Sequence, residues 1–423
     1  MNDIEQELQS LLKRRSQALR VRGLLTPRTL RRVRLLQAGT MASVAGMVAG
    51  LITIGVVGMN TVFPGSTDVA GVEGRSVPSE RIYVYDAFGE ERATPRILAL
   101  ETAGGQRTFS EAYDVPGGTG MAPSPDGLLL YIVRVTGADG SFEGVLETLD
   151  TATGRVVHSA SFTHPFSTSS GSSISPSVSP EGRWVYVLRV SPDGRDYSLL
   201  TYDSIEGSFA PRVLGLNGCR PVGLLPSPTE RRIHILCNQS HEVWTVDFLT
   251  SGEPQAVQRL ALPNVEDSTE DSFGNNERLG GVSSGALSLD GDFVYAVTSN
   301  GHVFTIDAAS NELVGQRRIP MSSDEVVADV EVGRENLYAG LGGLNSGDVS
   351  ISRRLLQVEL GSSNSTTVKE IGQLSDFVFG PGAEELTGLD GENRRLVVID
   401  AESGALTSTV EGVGSHPAFL RVP

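Results

Sequence analysis

Two stretches, SPDGLLLYIVRV from Ser124 and SPEGRWVYVLRV from Ser179, state one pattern twice, 55 positions apart. Each opens on a turn tetrapeptide and runs into a dense series of aliphatic, aromatic and β-branched residues, the composition of a strand. A second element recurs more widely. Strands end on an acidic residue and a turn at Glu101, Asp150, Asp203, Asp247, Asp307, Glu359 and Asp400, with spacings of 49, 53, 44, 60, 52 and 41 residues. A carboxylate there can accept backbone N–H bonds within the turn, so its expected role is structural. Periods of this length hold about four short strands each, which means a circular array of small sheets. The 49 glycines and 21 prolines fit a chain with many turns.

At these residues the chain resembles the YVTN/WD40-like seven-bladed β-propellers. The resemblance rests on SPDG at 124–127, SPEG at 179–182, the LYIV and VYVL that follow, and Ile399-Asp400-Ala401-Glu402-Ser403-Gly404. It covers roughly residues 80–423 and implies an all-β, seven-bladed propeller. It says almost nothing about chemistry, since relatives of the fold include lactonases and the heavy subunits of quinoprotein dehydrogenases. Gly333-Arg334-Glu335-Asn336 and Gly380-Pro381-Gly382 depart from the turn pattern. At the ends, RIYVYDA (81–87), RILALET (96–102) and RTFSEAYDV (107–115) are three strands lacking an innermost partner, which SHPAFLRVP (415–423) supplies. Such a splice removes open sheet edges from both ends of the chain.

The formal net charge of −17 is unevenly spread. Residues 1–37 hold nine Lys/Arg and three Asp/Glu, or +6, whereas the remainder holds 25 against 48, or −23. The acidic part would repel phosphates, so nucleic acid is not an expected partner. Residues 35–63 contain no charge at all. That run exceeds the roughly 20 residues a membrane helix needs, and its basic N-terminal flank assigns that side to the cytoplasm. A cleaved signal peptide with Arg31-Arg32 is the competing reading, opposed by the length of the run and the absence of an A-x-A site. The expected order is a basic, partly helical cytoplasmic tail (1–34), a transmembrane helix (35–63), a flexible linker (64–80) and the propeller (81–423). Ala42, Gly46 and Gly50 share one helix face and would let two such helices pack as a homodimer.

In a propeller, the turns joining the first two and the last two strands of each blade share one face. Here those turns are short. The long connections, taken as 135–144, 163–173, 264–281 and 340–353, share the other face, which is where binding is expected. GLGGLNSG and VPGGTG lie between strands with no helix following, so both read as loops and not as phosphate cradles. Cys219 and Cys237 flank the SPTE turn at 227–230 in near register. They could be a disulfide, two buried thiols or part of a metal site, and a compartment outside the cytoplasm favours the disulfide. Asp267, Glu270 and Asp271, beside Glu266 and Glu277, offer hard oxygens for a cation but lack calcium-loop spacing, so a solvated acidic loop is the simpler reading. The six histidines fall in no ligand or catalytic spacing, and Trp184 and Trp244 sit in strands and read as packing residues. No catalytic residue and no cofactor is assigned.

The reading that follows is a membrane-anchored extracytoplasmic propeller that binds a protein or glycan. The alternatives are a propeller enzyme and a transmembrane sensor signalling through its N-terminal tail.

Overall fold

The turns explain why the strands are short. At Ser124 the hydroxyl donates to Asp126 Oδ1 (2.6 Å) and accepts the Leu129 N–H (2.9 Å), while Gly127 takes φ 70° to close the reversal. Ser179 accepts the Trp184 N–H at 3.0 Å, and Ser288 accepts the Phe293 N–H at 2.9 Å, each with a glycine at positive φ beside it. The acidic turns are equally local. Asp150 Oδ1 accepts the N–H groups of Ala152 (3.0 Å) and Thr153 (2.7 Å). Asp203, Asp307 and Asp400 do the same for the residues two or three positions on. Asp247 differs, for its Oδ1 accepts from Arg232 Nε at 2.6 Å.

The computed structural model describes residues 81–421, less 87–95, 104–105, 115–117, 139–140, 164–174, 192–195, 239, 265–280, 335, 344–351, 361–367, 373, 375, 380–383, 391–392, 394 and 412–416. The described strands pair, all antiparallel, in seven separate sheets. We number them by residues: sheet 1 (118–163), sheet 2 (177–215), sheet 3 (221–261), sheet 4 (282–318), sheet 5 (325–372), sheet 6 (376–411), and sheet 7, which joins 417–421 to 81–114. In sheet 7 the order from the axis outward is Pro417–Arg421, Arg81–Asp86, Arg96–Ala103 and Gln106–Asp114. The first strands of successive sheets touch in a closed cycle, sheet 7 meeting both sheet 6 and sheet 1. This is a β-propeller, and its described residues lie in one unit, 77–423. The uncharged run at 35–63, with Ala42, Gly46 and Gly50, lies outside the described residues, among which no helix is long and apolar enough to cross a membrane.

The core lies in the wedges between neighbouring sheets. Trp184 and Tyr186 of sheet 2 pack with Ile233, Trp244 and Phe248 of sheet 3. Tyr83 and Ile97 of sheet 7 pack with Met121 and Leu130 of sheet 1, and Ile82 and Val84 pack with Val378 and Leu389 of sheet 6. Both tryptophans are buried, as the sequence implies. The outer strands of sheets 1, 3, 4 and 6 are largely exposed, and a one-residue bulge interrupts the outer pairing in sheets 1, 3, 4, 5, 6 and 7. Bulges there oppose edge-to-edge pairing with other chains.

Two readings of the sequence need correction. The segment 135–144 is no long loop: Leu129–Ala138 and Ser141–Asp150 pair up to Ala138↔Ser141, leaving only 139–140 between them. Asp139-Gly140 is a two-residue hairpin signal that outweighs the polar, glycine-rich composition. The glycine strings are also partly strand, because Gly118–Pro123 is the first strand of sheet 1 and Asn336–Gly343 the second of sheet 5. Glycine carries no side chain into crowded positions. In sheet 4, for example, a Cβ on Gly285 would lie 2.4 Å from the Tyr295 carbonyl oxygen.

Candidate functional site

The third residue of each sheet's second strand carries a polar end, and at Tyr131 and Tyr338 that end reaches the next sheet. Tyrosine occupies that place at Tyr83, Tyr131, Tyr186, Tyr295 and Tyr338, histidine at His234 and threonine at Thr387. Tyr338 donates its O–H to Ala401 O of sheet 6, and Gln357 Nε2 donates to the same oxygen at 3.1 Å. Burial pushes the Tyr131 and Tyr338 phenols up to about 12, so both stay protonated donors.

His234 takes part in a longer chain. Thr245 Oγ1 donates to Asn311 Oδ1 of sheet 4 at 2.9 Å, which leaves it to accept from His234 Nδ1 at 2.9 Å. The imidazole is therefore neutral with its proton on Nδ1, and Nε2 is buried without a hydrogen-bond partner. Asn311 stands where the matching turns have Gly154, Gly207 and Gly404, and it adopts φ 55° to do so. Beside it Arg232 Nη1 donates to Ala308 O at 2.8 Å, a second tie from sheet 3 to sheet 4.

The turn acids of the short-turn face are thus engaged in building the fold. The long-loop end is organised differently, by a belt of backbone and amide bonds around sheets 3, 4 and 5. Asn238 N–H donates to Arg220 O (2.9 Å), and Asn238 Nδ2 donates across to Val282 O (2.8 Å). Ser299 N–H donates to Gly281 O (3.0 Å), and Val327 N–H donates to Ser299 O (3.0 Å). Innermost strands bulge here in sheets 1, 3, 4 and 5, with register breaks between Gly118/Gly120, Pro221/Gly223, Val282/Ser284 and Val327/Asp329. Bulges re-aim side chains, and Ser284 Oγ donates to Asp329 Oδ1 of the next sheet at 3.1 Å. Glu325 pairs with Arg354 (2.9 Å), and Asp376 begins sheet 6 almost buried. The long-loop mouth can therefore offer carbonyl, hydroxyl and carboxylate oxygens on a rigid frame, a set suited to recognition by hydrogen bonds.

Cys219 and Cys237 form a disulfide at this end, with Cα atoms 5.0 Å apart. Both sulfur-bearing residues are buried, and the bridge fixes the strand end from which Asn238 reaches sheet 4. Replacing both by alanine is expected to cost about 3 kcal/mol, the loop-entropy value for a closed segment of this length. A urea midpoint for the double variant equal to that of the oxidised protein would overturn this. Asp267, Glu270 and Asp271 lie outside the described residues; among the described ones no group of three or more His, Cys, Asp or Glu is placed to hold a metal ion.

No protein-family model matches the chain. An uncharacterised WD repeat-containing protein of Synechocystis sp. is 24% identical over 138 residues, which is 32% of this chain and 37% of that relative, so the match spans about a third of either protein. Among solved structures, a putative 6-phosphogluconolactonase from Bacteroides uniformis aligns with a TM-score of 0.59 at 14% identity, covering 81% of this chain and 99% of that one. The β-propeller domain of Cps50 (Swd1) from Myceliophteria thermophila aligns with a TM-score of 0.54 at 15% identity, covering 74% and 92%. At these identities the likeness shows a WD40-like propeller fold and nothing of activity.

Proposed function

We propose that the chain is a membrane-tethered, seven-bladed propeller held outside the cytoplasm, whose long-loop face binds a protein or glycan partner. One observation carries this reading. The first described strand and the last lie side by side, Tyr83 facing Arg421, so Arg81 and the C-terminal end of Pro417–Arg421 share the short-turn face. A linker running from a membrane span at 35–63 to residue 81 enters on that face, and the long-loop face then points away from the bilayer. The Cys219–Cys237 disulfide supports an oxidising compartment. Loops on a rigid ring are the usual place for recognition, and the hydrogen-bonded belt supplies the rigidity.

The test is co-purification of the full chain from detergent-solubilised native membranes, followed by crosslink mapping. A stoichiometric partner crosslinked to residues 163–173 or 264–281, and lost when 266–277 is deleted, is the expected result. Crosslinks from 264–281 to lipid would reverse the orientation. A solitary protein that hydrolyses a lactone would favour the enzyme reading instead. Deleting residues 2–22 should leave partner capture intact, whereas a sensor would lose its output.

A further inference from the structure

A second surface lies on the opposite face from the one proposed to bind, and it does not depend on that proposal. The second positions of the first turns in sheets 1 to 4 are Pro125, Pro180, Pro228 and Leu289, all exposed. They form an arc from sheet to sheet: Pro125 borders Gly182 of the next turn, and Pro228 packs against Gly291. Outside the arc two more large apolar side chains point to solvent, Ile205 at 68% exposure and Leu249 at 40%; Leu289 stands at 55%. The Ile205 and Leu249 turns are themselves locked to their neighbours, Gly207 against His158 and Gly252 against the Trp184 ring.

With the turns at 150–155 and 307–312, the first and last turns of sheets 1 to 4 make eight, and together they are acidic. Segments 124–128, 150–155, 179–183, 203–207, 227–232, 247–253, 288–292 and 307–312 contain twelve Asp/Glu and four Arg, a net charge of −8. Arg183 and Arg232 are already committed to Asp203 and Asp247. This sign discriminates among occupants. An anionic lipid surface would be repelled, as would a second copy presenting the same face. The chain's own segment 64–80 carries Asp68, Glu73 and Glu80 against Arg75, so it is repelled too.

We infer that the short-turn face of sheets 1 to 4 docks a basic, apolar-anchored segment of a partner protein. Leu and Ile side chains of that segment lie along the Pro125–Leu289 arc and between Ile205 and Leu249. Its Lys or Arg residues meet the surrounding carboxylates, an arrangement that gives both specificity and a fast, salt-sensitive approach.

The experiment uses the full chain in detergent and, as probe, an amphipathic Leu/Lys peptide, with its Leu/Glu counterpart and with lipid vesicles of zwitterionic and anionic composition. The Leu/Lys peptide should bind, and the triple variant Ile205→Ser, Leu249→Ser, Leu289→Ser should weaken it at least roughly tenfold through lost apolar burial. Because the three side chains are exposed, the variant should melt with the parent. Glu206→Gln with Glu312→Gln should weaken binding and flatten its salt dependence. Equal binding of the triple variant would reduce the effect to charge alone and overturn the inference. Binding of the Leu/Glu peptide, or tighter binding to vesicles than to the Leu/Lys peptide, would overturn it as well.

Discussion

Deleting residues 417–423 is expected to unfold the propeller, although it removes only the end of the chain. Pro417–Arg421 is the innermost strand of sheet 7 and pairs with Tyr83, Val84, Tyr85 and Asp86. It also touches sheets 6 and 1, so it closes the ring. Without it the four backbone pairs are lost at about 1 kcal/mol each, and the edge of Arg81–Asp86 is left open. That strand carries Ile82, Tyr83 and Val84 of two wedge clusters, so its loosening reaches the wedges on both sides of sheet 7. We expect a loss above about 5 kcal/mol, a size reserved for breaking a major structural element. Thermal melting and limited proteolysis of the truncated chain, with a synthetic 412–423 peptide added back, measure this. A cooperative melt within a few degrees of the parent would show that the ring holds without its closing strand.

Acidification is expected to weaken the joint between sheets 3 and 4 through His234. Burial, helped by the nearby Arg232 guanidinium and opposed by Asp247, pushes the imidazole down to about 4. An exposed histidine in the unfolded chain titrates near 6.5. The folded state therefore prefers the neutral ring. Its stabilisation is complete above about pH 6.5, falls as the unfolded chain takes up protons, and is exhausted near pH 4. The interval corresponds to about 3 kcal/mol. Geometry gives the cause: Nδ1 already donates to Thr245, so a second proton on Nε2 would sit buried without an acceptor. His234→Gln can still donate to Thr245 but does not titrate. Urea midpoints of parent and variant should diverge between pH 7 and pH 4.5, the parent losing more. Parallel pH dependences would refute the assignment. Asp390 acts at lower pH: burial raises its carboxyl, but hydrogen bonds from Asn393 and Arg395 outweigh this and hold it below the usual range. Its contribution is present above the unfolded carboxylate range and is lost as pH falls through its lowered value, below the window of His234.

The sequence by itself determined the parts of this protein that close within a few residues. The turns at Ser124, Ser179 and Ser288 bond to residues at most five positions away, and those at Asp150, Asp203, Asp307 and Asp400 reach two or three positions. Such contacts must write their residue types into a short, repeating string, and that string implied a propeller. The Asp139-Gly140 hairpin was legible in the same way, but the glycine-rich composition around it gave the wrong weight to a loop. Only the tertiary structure decided which residues meet across the wedges. Tyr338 and Ala401 are 63 positions apart, and Thr245 and Asn311 are 66 apart. Tyrosine or histidine at one strand position looks the same in sequence whether its polar end meets water or a neighbouring turn. The arc from Pro125 to Leu289 is likewise four single residues in the chain, and becomes a surface only when the ring brings successive turns side by side.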